Sequence, residues 1–249
     1  MLALAGLDLK HQSASYRSSL IGLGCFLGVY ALFDVVPVVL PKSDVVRGLR
    51  WGDIADAPLL FLLVTAYVLL GLQAGLWRSN ALKFANGFAV VVLIQGHGIH
   101  MAANAISASL DASSPGWRPA YVMDEHWGHT ELQSGMALEA VIFIAAADNG
   151  TEAGRLAPTS RILLALFAFA YGLFLTADAI EGQTVPLVIP AAVVLTLVAF
   201  SRRGRPLSLY RSFFVSAFAT AVVVLTAYGL WHGGFPEHNW HVWQYFLEG

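Results

Sequence analysis

What most limits the fold of this chain is a succession of apolar runs as long as a bilayer's hydrocarbon core, at about residues 19–40, 55–77, 81–106, 125–147, 159–180, 184–200 and 209–231. Hydrocarbon offers no partner to a backbone N–H or C=O, so a run of roughly 20 apolar residues crosses it as a helix that satisfies those groups internally. The sequence therefore predicts an all-α integral membrane protein: a single membrane domain over residues 1–249, with seven transmembrane helices and a short interfacial C-terminal tail. Charged residues are only 12% of the chain, about half the share in soluble domains. The run at 19–40 is longer than a signal-peptide core and no small-x-small cleavage site follows it, so it is expected to stay as the first span. With Cys25 alone, no disulfide forms within the chain, and a net charge of −2 gives no basic patch for nucleic acid.

Inside the spans, Gly24 to Gly28 and Gly71 to Gly75 are small-xxx-small patterns that read as close helix packing. Asp34 falls about three quarters of the way along the first span, where a carboxylate is costly unless paired, hydrated or protonated. The connection from Pro41 to Asp56 reads as a short amphipathic turn on the membrane surface. Residues 107–124, with Pro115, Gly116 and Pro119, read as a loop between the third and fourth spans.

The chemistry is concentrated between Gly96 and Gln133. On a regular helix, residues three and seven apart share a stripe, so His97, His100 and Asn104 line one face and His126, His129 and Gln133 line another. The polar connection folds these stripes toward each other. Imidazole with carboxylate suits Zn, Fe or Cu, and the leading expectation is one metal ion shared by His97, His100, His126 and His129, with His232 added from the end of the last span. Haem is the less favoured cofactor, and hydrated interface histidines are the bland reading. Asp124 or Glu125 is the candidate catalytic base or further ligand. Around the ligands, Asn104 and Gln133 are placed as amides that orient an imidazole or hydrogen-bond a substrate carbonyl, and Asp178 and Glu181, on one face by i,i+3 spacing, as candidate carboxylate ligands. The same residues serve equally as helix-packing amides and helix-end charges. Glu139 lies too deep for this site, about 15 Å beyond His129 at 1.5 Å per residue. The tail pair, His238 and His241, reads as interfacial.

Neither the His-x-x-x-His of most helical zinc and iron sites nor the His-x-x-His-His box of membrane desaturases is present. A nucleophile elbow, a phosphate-binding loop and a Rossmann glycine pattern are also absent from the sequence. The expected function is a membrane-embedded metal-dependent enzyme. Its histidine-rich, periplasm-facing site would act by hydrolysis or oxidation on a hydrophobic or lipid-like substrate, with membrane lipid or an amphiphilic small molecule as partner. The alternative is a non-enzymatic metal- or haem-binding subunit of a larger membrane complex. The expected location is a plasma membrane, read as the bacterial inner membrane.

With alternating spans, ten of the 14 basic residues fall on the side of the N-terminus and four on the other. The positive-inside rule then puts the N-terminus in the cytoplasm and the C-terminus, with the histidine layer, outside. A reporter fused after Gly249 should be active only in its exported form; activity confined to the cytoplasm would contradict this orientation.

Overall fold

The structure is a computed structural model and describes residues 2–46, 49–147, 156–201 and 208–235. Apolar composition makes nearly all of it helical: α1 (Leu2–Val39), α2 (Trp51–Gln73), α3 (Asn80–Ser109), α4 (Trp117–Val122), α5 (His129–Ala146), α6 (Pro158–Glu181), α7 (Val185–Ser201) and α8 (Leu209–His232). The ends carry ordinary stop and start chemistry. The Ser79 and Ser208 hydroxyls accept from the N–H groups of Leu82 and Arg211, each at 3.3 Å, and cap α3 and α8. Gly233, at φ 68°, closes α8 in the left-handed region that a residue with a Cβ resists.

Five helices are long and apolar enough to cross a membrane: Tyr16–Val39, Trp51–Gln73, Asn80–Ser109, Pro158–Glu181 and Leu209–His232. The fourth and sixth expected spans also form helices, but of a different kind. The 17 residues of α7 reach only about 26 Å at 1.5 Å per residue, and α5 carries Glu131, Gln133 and Glu139 within its 18. The C-terminal tail, with Glu237, His238 and His241, lies outside the described residues.

Two connections differ from the sequence reading. Instead of an amphipathic turn, residues after α1 form an antiparallel hairpin, β1 (Asp44–Val46) against β2 (Leu49–Arg50), with Asp44 opposite Arg50. Much of the expected 107–124 loop is helical. Its Pro119 lies in the first turn of α4, where a missing N–H removes no intrahelical bond. From α4 the chain continues without a break through a π-helical turn, Met123–Gly128, into α5.

The interior is aromatic. Phe26 and Tyr30 from α1, Tyr67 from α2, Tyr171 from α6 and Phe213 and Phe214 from α8 are all buried. Edge-on pairs at 4.8 Å link Phe26 to Tyr67 and Tyr30 to Tyr171, a geometry the ring quadrupoles favour. The Tyr67 and Tyr171 hydroxyls satisfy each other at 3.0 Å. The outward faces are apolar too, with Phe61, Leu69, Phe84, Leu166 and Val223 exposed, as lipid contact requires.

Helix α3 packs along α5, α1 along α2, and α6 along α8. The first of these pairs positions the site, and glycine makes it close. A methyl group on Gly96 would collide with the backbone of Glu131 and Leu132, and one on Gly135 would come to 2.6 Å from the Leu93 backbone nitrogen. Of the glycines singled out in the sequence, Gly24 lies close against the Phe167 ring of α6, where a Cβ would come to 3.2 Å, and Gly71 against Trp77, at 3.1 Å, whereas Gly28 has nothing within 4 Å of its missing Cβ and Gly75 turns the chain after α2 at φ 71°. Gly96→Val should therefore destabilise the protein by about 1–3 kcal/mol, the usual effect of overpacking, while Gly28→Val leaves thermal unfolding in detergent nearly unchanged. Equal melting losses in both variants would contradict this packing.

Candidate metal centre

One end of the bundle gathers the last turns of α1, α3 and α6 with the first turns of α2 and the α4–α5 rod. These elements enclose a cavity of about 510 Å³ lined by imidazoles and carboxylates, with Phe33, Leu132 and Phe174 among its apolar walls. The polar lining comprises Asp34 from α1, Arg50 and Asp56 at the start of α2, His97, His100 and Asn104 from α3, Asp124, Glu125, His129 and Gln133 from the π turn and α5, and Asp178 and Glu181 from α6.

At its centre, His100, Asp124 and His129 place one ligand atom each within 4.8 Å of one another. This His/Asp group could hold a metal ion. The π turn explains the combination. The His129 N–H bonds the carbonyl of Asp124, five residues back, and a turn closed over five residues takes about one residue more than an α-turn. Asp124 and His129 therefore sit one wide turn apart on the same side. The same widening rotates His126 out of the stripe that regular spacing predicts.

Gly128, in that turn, lies directly on α3: a Cβ there would be 2.7 Å from the His100 nitrogen and 2.8 Å from its Cα. This contact brings His100 Nδ1 to 2.5 Å from Asp124 Oδ1 and the His100 and His129 rings to 4.4 Å. Two atoms bound to one tetrahedral ion at 2.0–2.1 Å stand about 3.4 Å apart, so the His100–Asp124 contact is a hydrogen bond. A carboxylate holding one imidazole nitrogen fixes the ring and leaves Nε2 for an ion. An opening of about 1 Å would instead make Asp124 a direct ligand. On its far side His129 rests against the end of α6, where a Cβ on Gly182 would approach its Nδ1 to 2.6 Å.

The other sequence-predicted residues are distributed around this group. His97 is buried, at 1% exposure, with its Nε2 3.4 Å from Asp56 Oδ2 and its ring 5.2 Å from Phe33. It lines the cavity next to His100, at a ring distance of 5.9 Å. His126 is half-buried and does not line the cavity. His232 is exposed, its ring tilted against that of Tyr228 at 4.4 Å, away from the cavity lining. Glu125 lines the cavity beside Asp124. Asn104 donates to Asp53 Oδ1 at 3.3 Å, and Asp53 in turn accepts the Arg50 N–H at 2.7 Å, so this amide ties α3 to the start of α2. Gln133 is buried against the cavity. Asp178 accepts from the Tyr30 hydroxyl at 2.6 Å, and Glu181 is exposed at the end of α6. Glu139 is fully buried outside the lining, and neither carboxyl oxygen has a hydrogen-bond partner among the described residues.

Asp56, Arg50, Gly128 and Gly182 have positions in the site that sequence reasoning did not assign. Asp56 was legible only as a polar residue at the start of a span. The two glycines act through contacts with other helices, for which the local sequence carries no signal.

No family model, no curated protein and no solved structure matches this chain.

Proposed function

We propose that the protein is a membrane-embedded metal-dependent enzyme whose centre is held by His100, His129 and Asp124 and acts on an amphiphile. The carrying observation is the convergence of three ligand atoms within 4.8 Å inside a partly apolar cavity. Two imidazoles and one carboxylate form the ligand set of catalytic zinc in several hydrolases and of the facial triad of non-haem iron oxygenases, both of which keep open positions for substrate. A divalent ion would supply Lewis acidity to a carbonyl or water oxygen there. Haem fits less well, because rings 4.4 Å apart leave no gap for a porphyrin plane between them.

In this reading Asp124, drawn about 1 Å off its hydrogen bond to His100 when the ion binds, completes the ligand set, and Glu125, on the same turn, is the base that takes a proton from substrate or water. His97 stands at the cavity wall, where Asp56 faces one nitrogen. The helix ends that form the site lie on the exported side under the positive-inside assignment, in the outer leaflet of a plasma membrane. A lipid-like chain would enter between helices and bring its polar head to the centre. Zinc would direct the site to hydrolysis of an ester or amide, and iron to oxidation of a carbon centre.

Protein purified in detergent should carry about one transition-metal ion per chain, read by inductively coupled plasma mass spectrometry. His100→Ala and His129→Ala should lower affinity by about tenfold to a hundredfold or more, while His232→Ala and His126→Ala retain the ion. Full metal content in both of the first two variants would rule out this ligand set.

A further inference from the structure

The metal reading leaves one wall of the cavity without a role. The last turns of α1 and α6 bring Asp34, Asp178 and Glu181 there, beside the rings of Phe33 and Phe174. Tyr30 holds Asp178 through its 2.6 Å hydrogen bond. Asp34 Oδ2 is buried and has no hydrogen-bond partner among the described residues. Nδ1 of His97, a side chain only 1% exposed that also lines the cavity, is equally without one.

Carboxylates grouped against a low-dielectric wall keep their charge only where a cation joins them. Among the described residues, Arg50 is the only lysine or arginine in the lining. A metal cation demands tightly convergent ligands, and among the described residues only His100, Asp124 and His129 bring theirs within 4.8 Å of one another. Spread carboxylates next to aromatic faces instead suit a larger, diffuse positive charge, for which ring faces add attraction.

We propose that Asp34, Asp178 and Glu181, with Phe33 and Phe174, receive the ammonium head of a cationic amphiphile and so set the substrate class. This rests on the metal-enzyme reading for its catalytic meaning, but the binding site stands or falls separately. The two sites are adjacent: the residue after Glu181 is Gly182, against which the His129 ring packs. An ammonium head seated on the α6 wall therefore places the bonds next to it beside the metal ligands.

The test compares octyltrimethylammonium with neutral octyl glucoside, both below their micelle concentrations, by calorimetry on the full chain in a non-ionic detergent. The cationic probe should bind about tenfold or more tightly. Asp34→Asn, Asp178→Asn and Glu181→Gln should each reduce that preference at least about threefold while metal content stays at the wild-type level. Glu181 is exposed, so its variant tests the site without disturbing packing. Equal binding of the two probes by the wild-type chain overturns the proposal, as does a cationic preference that survives in both Glu181→Gln and Asp34→Asn. A wild-type chain that lacks metal yet keeps a carboxylate-dependent preference supports the ammonium site and counts against the metal reading alone.

Discussion

The near contact of α3 with the π turn is the constraint on which the site depends. Side chains keep most helix pairs 8–10 Å apart, and a carboxylate on one would then reach an imidazole on the other only through a long, mobile side chain. Here Gly128 lets the π turn rest on the backbone of His100, and the short side chain of Asp124 suffices. Gly96 and Gly135 extend the same approach along the pair. The backbones that carry the site touch, which supports the preorganisation that ligand geometry needs.

A second consequence concerns charge. The cavity collects Asp34, Asp56, Asp124, Glu125, Asp178 and Glu181, while among the described residues three histidines and Arg50 are the basic groups of its lining. Such an assembly at the end of an apolar bundle is expensive to desolvate in its charged form unless positive charge joins it. A divalent ion at the imidazoles and an ammonium group at the α1–α6 wall would each offset part of that penalty. The hydroxyls of Tyr30, Tyr67 and Tyr171 begin just below, where Tyr30 bonds Asp178 and the other two bond each other. They are buried in the aromatic core as satisfied polar groups.

How far the sequence could be read depended on whether each feature was local. Hydropathy located the helices because burial in lipid acts on every residue of a span. It ranked α5 and α7 with the long ones, because a window sum weighs a polar turn in α5 or the shorter length of α7 little against their apolar remainder. Helical spacing placed His97 and His100 on one stripe of α3, where the helix is regular. On the next rod it paired His126 with His129, and the π turn pairs Asp124 with His129 instead. Nothing in Met-Asp-Glu-His-Trp-Gly announces that wider turn. Asp56 and the end of α6 join the site through contacts between residues far apart in sequence, which periodicity does not encode.

The most direct test of a metal held between α3 and the π turn is X-ray absorption at the edge of the bound element in the purified protein. The account predicts nitrogen or oxygen neighbours at about 2.0–2.2 Å with the outer-shell scattering of two imidazoles, reduced to one in His129→Ala. An absorbing ion surrounded by oxygen alone, with no imidazole signature, would contradict it.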